Sequence, residues 1–295
     1  MKKVLVIINK KSGISAKRRI SRQIDRWLDE SIFEYQLAFT HYKGHAIKLS
    51  RQAAADKVDI VVAVGGDGSV NEIAQGLWHT NIILGIIPTG SGNGLARSLK
   101  IPLLVPKAIR IINQLHIKEM DVGFINNHLF LSNAGVGFDA VVSSLFDKSK
   151  TRGFLGYLQS IPKALQQYHP FTYQFETEGK KEKGQAFMIN VANSNQMGYN
   201  FKLSPAASPF DGLLDISIIE HLTPWELPPI VISSFTEHQS KHIKSILSKD
   251  FTIYSNRTIK SIQTDGDTIS NNSREINIKI EPSALKIITP YITAE

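Results

Sequence analysis

The chain has 295 residues, of which 42% are hydrophobic, with no cysteine and a formal net charge of +8. This length predicts one large domain or two modest ones with a full core. The composition excludes a disulfide framework and a thiolate metal site, and no apolar run approaches the roughly 20 residues of a transmembrane helix, so we expect a cytoplasmic protein that does not cross a bilayer.

Residues 1 to 90 alternate between short β-branched runs and amphipathic segments. The runs predict strands at 4–9, 33–40, 58–66 and 81–88. The first run lacks a small-residue cleavage site, which indicates a strand rather than a signal peptide. Between the runs, apolar residues recur at helical spacing, as in Ile20, Ile24 and Leu28. The pattern predicts a doubly wound, parallel α/β domain over residues 1–122.

The pattern changes after about residue 120. Short strands follow one another, with hairpin signals at "EGKKEKG" and "DGD". We therefore predict a second, mainly antiparallel β domain over 123–285, interrupted by a helical insertion at 140–168. The last run, within 286–295, is expected to return to the first domain.

Glycine-rich turns follow three of the predicted parallel strands. They are Asn9 to Gly13, Gly65-Gly66-Asp67-Gly68 and Gly90-Ser91-Gly92-Asn93-Gly94. Glycines let backbone N–H groups approach an anion, and a helix N-terminus presents unpaired donors to it. Three such turns at the carboxyl edge of one sheet predict a nucleotide site, although none has the Walker A or dinucleotide spacing.

Asp67 is the unusual member of these turns. A carboxylate beside phosphates repels them unless it holds a metal ion or accepts a proton. The alternative is structural, because Asp67 or Ser69 could cap the helix that follows.

These motifs resemble the diacylglycerol kinase catalytic-domain family, which includes bacterial lipid kinases and the sphingosine and ceramide kinases. The resemblance rests on "GGDGSVNE", "PTGSGNGLARSL", "NAGVGFDAVV", "RGFLGYL", "SPFDGLLD" and "TDGD", in the family's order. It implies a nucleotide-binding domain like those of phosphofructokinase and NAD kinase, joined to a β-sandwich-like domain. It also implies transfer of the γ-phosphate of ATP to a lipid hydroxyl in the cleft between them, with Mg²⁺ bridging the phosphates.

The resemblance also implies roles for individual residues. Together with the glycine turns, it assigns nucleotide contacts to Asn9, Lys10, Lys11, Ser12, Gly13, Thr40, Gly65, Gly66, Asp67, Gly68, Ser69, Asn71, Glu72, Gly90, Ser91 and Asn93. A second metal-binding stretch corresponds to Ser208, Asp211 and Leu213, although Asp211-Gly212 could be a simple turn. The general base is Asp267, where the family usually has glutamate, or Asp67, which the residues alone favour.

The acceptor and its surroundings are expected in the second domain. The apolar insertion at 140–168, with Met197 and Tyr199, is the candidate lipid pocket, and ordinary core helices are the alternative. Asn93-Gly94 resembles the sphingosine and ceramide kinases, so a sphingoid base and diacylglycerol are both candidates. Basic segments at 10–19 and 238–249 predict peripheral contact with an anionic inner membrane face, or simply a solvated surface. A homodimer is compatible with the sequence.

Two other functions remain open. An NAD kinase shares the Gly-Gly-Asp-Gly loop and a similar two-domain plan, although the second domain fits the lipid family better. The shortened arm of Asp267 is also compatible with a non-catalytic nucleotide-binding regulator. Nucleic acid is not an expected partner, because the basic runs lack interleaved aromatic residues.

Overall fold

The computed structural model describes residues 1–9, 14–147, 159, 161, 164–165, 168–177, 180–222 and 225–291. The chain forms two compact units. The first contains Met1–Met120 and the chain from Ser283 onward, and the second contains Asp121–Pro282.

The first unit is a parallel sheet with helices. Its strands are β1 (Lys2–Ile8), β2 (Phe33–Phe39), β3 (Ile60–Gly65) and β4 (Ile83–Pro88), in the order β2-β1-β3-β4. Its helices are α1 (Ile14–Trp27), α2 (His45–Ala55), α3 (Asp67–Leu77), α4 (Gly94–Ser98) and α5 (Val105–Gln114). Every residue of β3 and β4 is buried, as expected for central strands of a covered parallel sheet.

The second unit is mainly antiparallel. Its elements are β5 (Ile117–Ile125, which begins in the first unit), β6 (His128–Phe130), β7 (Asn133–Gly137), α6 (Phe138–Asp147), β8 (Phe171–Thr177), β9 (Lys180–Ala186), β10 (Met188–Ala192), β11 (Leu214–Ile219), α7 (Leu227–Ser233), β12 (Lys244–Ser248), β13 (Asp250–Thr264) and β14 (Asp267–Ile288). The sheet runs β12-β11-β10-β7-β13-β14, and β8 joins β13 and β9. Beyond Pro282, β14 belongs to the first unit, where Ile287 pairs with Leu84 of β4.

The two faces of this second sheet carry different cores. One face contributes Val136, Ile189 and Ile216 to a large apolar cluster with β8, β13 and β14. The other face contributes Met188 and Ile219 to a second cluster, called here the helix-side cluster, whose further members include Phe138, Val142, Ala164, Phe187, Leu203, Ile230 and Ile243. None of the helices in the described residues is long and apolar enough to span a bilayer.

The predicted fold class, an α/β unit followed by an antiparallel β unit, is confirmed. Several details differ. The sequence predicts separate strands at "FTIYS" and "KSIQTDGDTI", but "FTIYS" and "KSIQT" belong to one long strand, β13, with register shifts between Tyr254 and Ser261 at its polar interruption. Residues 244–248 of the basic segment form β12. Only part of the 140–168 insertion lies within the described residues.

Candidate functional site

The two predicted glycine loops touch one another in the first unit. A Cβ added to Gly90 would lie 2.5 Å from the Cα of Gly66, and one added to Gly66 would lie 3.1 Å from the Cα of Gly90. The N–H of Thr89 donates to the carbonyl of Gly65 at 2.9 Å. The close approach requires glycine on both sides, so the loops at the ends of β3 and β4 form one continuous backbone surface.

We expect Gly90→Ala to destabilise the protein by about 1–3 kcal/mol, because its methyl group has to displace backbone rather than a flexible side chain. Gly68→Ala is the matched control in the same loops, since a Cβ there meets nothing within 4 Å. Thermal unfolding of both variants measures the difference. Equal stability of the two would contradict the loop contact.

Asp67 does not cap its own helix. The N-cap of α3 is Gly66, which makes no side-chain cap bond, and the Oδ1 of Asp67 instead accepts the N–H of Leu95 in α4 at 3.3 Å. Ser69 is not a cap either, because its hydroxyl accepts the side-chain amide of Asn9 at 2.6 Å. The structural alternative for these residues, capping of α3 by Asp67 or Ser69, is therefore not observed, since tertiary partners compete for both side chains.

The Asp67 carboxylate is held in a place that disfavours its charge. Burial raises its pKa, and hydrogen bonds from the backbone N–H groups of Gly94 and Leu95 oppose that rise in part. A carboxylate of this kind gains more than an exposed one from a bound cation or a proton. Asp67 thus holds α4 in place through its hydrogen bond, and its carboxylate can still bind a cation or a proton.

The other predicted nucleotide contacts that the structure describes lie at the ends of β1 and β2, in α3 or in the second glycine loop. The backbone N–H of Gly44 donates to a carboxylate oxygen of Glu72 at 2.8 Å. Asn93, at a φ of 51°, makes two hydrogen bonds with Gly90: its Oδ1 accepts the N–H of Gly90 at 3.0 Å, and its Nδ2 donates to the carbonyl of Gly90 at 2.8 Å. Thr40 and Asn71 are buried, and Ser91 is exposed. Lys10, Lys11, Ser12 and Gly13 lie outside the described residues.

Arg97 is a site residue that the sequence analysis missed. Its Nε donates to the carbonyl of Gly92 at 3.0 Å, which ties the second glycine loop to the last turn of α4. The available signal was an arginine three residues after the last glycine of the loop, close enough for its side chain to reach the loop carbonyls.

The predicted second metal stretch forms a hydrogen-bonded turn in the second unit. Asp211 accepts the N–H of Leu213 at 3.0 Å, and Asp121, another residue that the sequence analysis missed, accepts the N–H of Gly212 at 2.7 Å. Ser208 is half-buried nearby in sequence. Within the described residues, no group of three or more His, Cys, Asp or Glu side chains is arranged to hold a metal ion. These hydrogen bonds support the alternative that Asp211-Gly212 is a simple turn.

Asp215 gives this region a pH dependence. Burial and then the charge of Asp211 raise the pKa of Asp215 to about 6. The folded state thus keeps this proton to a higher pH than the unfolded state does, so its stability falls as pH rises from the ordinary Asp value through about 6. We expect Asp215→Asn to flatten that fall in thermal unfolding measured across this window, whereas Asp250→Asn, at an exposed site, leaves it unchanged.

The "DGD" turn is held by its first aspartate, Asp265, which the sequence analysis did not single out. The carboxylate of Asp265 accepts the backbone N–H groups of Leu131, Ser132 and Asn133 at 2.9, 2.8 and 3.1 Å. Asp267 is exposed, two residues further on, at the start of β14. Asp265 therefore fixes the turn, and Asp267, which follows the turn, is exposed to solvent.

A row of polar side chains crosses the helix-side face of the second sheet. Asn190 and Gln263 both lie directly opposite Gly135, and Ser217 lies opposite Asn190. A carboxylate oxygen of Asp139 on α6 occupies the space above Gly135, 3.3 Å from where a Cβ would be. Asn190 is 0% exposed, and neither amide atom has a hydrogen-bond partner in the described part of the chain. Such unpaired buried groups are rare and often mark a site for a ligand or water.

The rows on either side of this polar row differ from it in polarity. Met188 and Ile219, opposite one another, form an apolar row at one end, and Asp215 opposite Ala192 forms an acidic one at the other. Neighbouring rows are about 7 Å apart because alternate residues share a face. The predicted pocket residue Met197 packs against the apolar end, while Tyr199 lies in the loop after β10. The face therefore passes from apolar through hydrogen-bonding to acidic.

Comparison with known proteins identifies the family of this chain. Residues 3–125 match the diacylglycerol kinase catalytic domain, and residues 132–289 match the YegS C-terminal NAD kinase beta sandwich-like domain. A diacylglycerol kinase of Bacillus subtilis (strain 168) is 30% identical over 226 residues, which are 75% of this chain and 74% of that protein.

Solved structures agree on the fold. A structure described as a diacylglycerol kinase from Bacillus anthracis str. Sterne has a TM-score of 0.82 at 25% identity, covering 98% of this chain and 97% of that one. Yeast NADH kinase, complexed with NADH, has a TM-score of 0.52 at 10% identity, covering 98% and 84%, which is a likeness of fold alone. With both units matched in order, the chain belongs to the diacylglycerol kinase family of lipid kinases.

Proposed function

We propose that this protein transfers the γ-phosphate of ATP to a hydroxyl group of a membrane lipid such as diacylglycerol or a sphingoid base, with Mg²⁺ as cofactor. The observation that carries the proposal is the paired glycine surface of Gly66 and Gly90 with the carboxylate of Asp67 beside it. Backbone donors without side chains suit the oxygen-rich phosphates of a nucleotide.

Each of the two predicted metal-binding stretches, one in each unit, fits a hard divalent cation by the chemistry of its donors. Asp67 offers a carboxylate oxygen whose charge is poorly solvated, and Asp211 with the carbonyls of Ser208 and Leu213 offers oxygen-only ligation at the second stretch. When bound, Mg²⁺ supplies charge neutralisation for the transferring phosphoryl group. Asp67 contributes by keeping α4, and with it the second glycine loop, in place.

Asp267 is the proposed general base. It accepts the proton of the lipid hydroxyl as that oxygen bonds to the γ-phosphorus, while the bond from phosphorus to the bridging oxygen breaks and ADP leaves. The Asp265 carboxylate supports this role, because three backbone hydrogen bonds fix the turn that presents Asp267. A fixed turn lowers the cost of holding the base within reach of the hydroxyl.

We expect Asp267→Asn to lower kcat by about a hundredfold or more, because proton transfer to a positioned base contributes about that much. Asp267→Glu restores the arm length usual in the family and is expected to retain activity. Steady-state kinetics at fixed pH distinguishes the two. Full activity of Asp267→Asn would move the role of base to Asp67.

The helix-side face of the second unit is the proposed acceptor surface. Its apolar row suits acyl chains, and the Asn190, Gln263 and Asp139 row suits hydroxyl and ester oxygens. This order matches the order of groups in a lipid, from tail to hydroxyl. The described members of the 140–168 insertion, including Val142 and Ala164, contribute to the apolar end.

Phosphorylation with labelled ATP tests the proposal directly. The purified protein is incubated with Mg²⁺ and, separately, diacylglycerol, sphingosine, ceramide and NAD. Label in a lipid supports a lipid kinase and names its acceptor. Label in NAD alone would replace it with a dinucleotide kinase, and nucleotide binding without any transfer would indicate a regulator.

A further inference from the structure

An apolar stripe lies on the outer side of α7, in the second unit. Trp225 is 88% exposed and Ile232 is 67% exposed, and Phe235 is also exposed. With Pro228 and Pro229 they recur every three or four residues, which places them on one side of the helix and its two ends. This set of five residues is called here the α7 stripe.

The inner side of the same helix is already used. Ile230 is buried in the helix-side cluster, and Ser234 is buried beside it, with its hydroxyl donating to the carbonyl of Ile230 at 2.8 Å. Within the α7 stripe, Phe235 makes an edge-on ring contact with Phe201, which packs on this cluster, whereas Trp225 and Ile232 stay largely exposed. Exposed apolar side chains gathered in this way mark an interaction surface rather than ordinary surface scatter.

The residues next to the stripe indicate what covers it. No member of the stripe is charged, whereas the following segment, 238–249, carries Lys241, Lys244 and Lys249 and no acidic residue. Of the charges next to it, Glu237 pairs with Lys202, and Lys244 pairs with Glu182. A contact of 3.6 Å between Nδ1 of His242 and Oε1 of Glu226 joins that segment to the start of α7. Tryptophan and aliphatic residues beside lysines match the interfacial zone of an anionic bilayer.

We propose that the α7 stripe inserts into the interfacial layer of a bilayer containing anionic lipids, with Trp225 and Ile232 as its main anchors. The proposal rests on the proposed lipid kinase function, because the acceptor is then extracted from that bilayer. It has a structural consequence. Since Ile230 on the other side of α7 contacts the helix-side cluster, the helix docked on the membrane is the same helix that covers the proposed acceptor surface.

Trp225 is a built-in fluorescent probe for this docking. The chain has three tryptophans, and the other two, Trp27 and Trp78, belong to the first unit and can be replaced by phenylalanine. In that background we expect a blue shift of Trp225 emission on adding phosphatidylcholine–phosphatidylserine vesicles, and quenching by lipids brominated on their acyl chains. A spectrum unchanged by these vesicles would overturn the proposal.

Vesicle sedimentation supplies a second readout with matched variants. Trp225→Ala and Ile232→Asp are each expected to weaken vesicle binding by about tenfold or more, as follows from the area of one large apolar side chain. Leu104→Asp is the control, because Leu104 is similarly exposed, at 63%, but lies in the first unit at the N-cap of α5, where aspartate is favourable. Equal loss in all three variants would contradict the assignment to α7.

Two further measurements separate this proposal from its alternatives. Activity on a short-chain, water-soluble diacylglycerol should survive in the stripe variants, whereas activity on long-chain lipid in vesicles should fall. If no lipid is phosphorylated but Trp225 still inserts, the proposed function fails and the docking surface stands. If the variants instead dissociate a dimer in sedimentation velocity and bind vesicles normally, the stripe is an interface between two copies.

Discussion

Asp67→Asn is expected to lower phosphoryl transfer by about a hundred- to a thousandfold, the scale associated with removing a group that acts on developing charge. The variant should nevertheless fold. The Oδ1 of asparagine can still accept the N–H of Leu95, so the bond that anchors α4 is preserved while the negative charge is lost. The substitution therefore tests the effect of the charge on activity without removing the hydrogen bond that anchors α4.

The stability of this variant has a predicted sign. Burial raises the pKa of Asp67, so the folded state holds that proton to a higher pH than the unfolded state does. The free energy of unfolding therefore falls as pH rises from the ordinary Asp value through the raised one, and stays lowered above it. Asp67→Asn removes this cost. Without nucleotide or Mg²⁺, it should be at least as stable as the wild type at neutral pH.

Asp59→Asn is the matched control for Asp67→Asn. Asp59 lies in the same unit, and its Oδ2 likewise accepts a backbone N–H, that of Lys3, at 2.8 Å. The chemical change and the type of hydrogen bond are the same, but Asp59 lies outside the glycine loops. Kinetics and thermal unfolding of both variants test the prediction. Full activity in Asp67→Asn would reduce Asp67 to a cap of α4.

Sequence periodicity predicted the first unit well for a physical reason. β3 and β4 are apolar at nearly every position, and this pattern has few other solutions than a covered parallel strand. The glycine loops followed, because Gly66 and Gly90 come directly after those strands. The partner of Asp67 could not be predicted, since the contact with Leu95 joins residues 28 positions apart through the contact of two loops.

In the second unit, several important contacts could not be predicted from the sequence, because they depend on strand register and on residues far apart in the chain. The acceptor row depends on register, because Asn190 and Gln263 meet only through their common partner Gly135. Asp265 sits in the predicted turn, yet its three donors come from residues more than 130 positions earlier. The α7 stripe was missed because apolar residues at helical spacing ordinarily predict a buried face, and only the structure shows which side is outward.

Asn190→Leu is expected to stabilise the protein and impair the reaction. Asn190 is fully buried, and its amide has no hydrogen-bond partner among the described residues. Leucine is of similar size and carries no polar atom, so it removes a desolvation cost of about 1–3 kcal/mol. An increase of that size would raise the Tm by about 2–4 °C per kcal/mol.

The same change removes the proposed partner of the lipid hydroxyl. We expect kcat/KM for the lipid to fall by about tenfold or more, while the KM for ATP stays unchanged, because one hydrogen bond to a buried group contributes about 1–3 kcal/mol. The opposite movement of stability and activity is the signature of a binding residue. A residue with a purely structural role lowers both.

Asn193→Leu is the matched control for Asn190→Leu, three positions along the chain and equally buried. Its Nδ2 donates to the carbonyls of Asp121 and Leu131 at 2.9 and 2.8 Å, so leucine there leaves two buried acceptors unpaired. We expect this variant to unfold at a lower temperature than the wild type, since each orphaned group costs about 1–3 kcal/mol. A similar loss of stability in Asn190→Leu would show that Asn190 has an internal partner, and the acceptor surface would then have to lie elsewhere on the second unit.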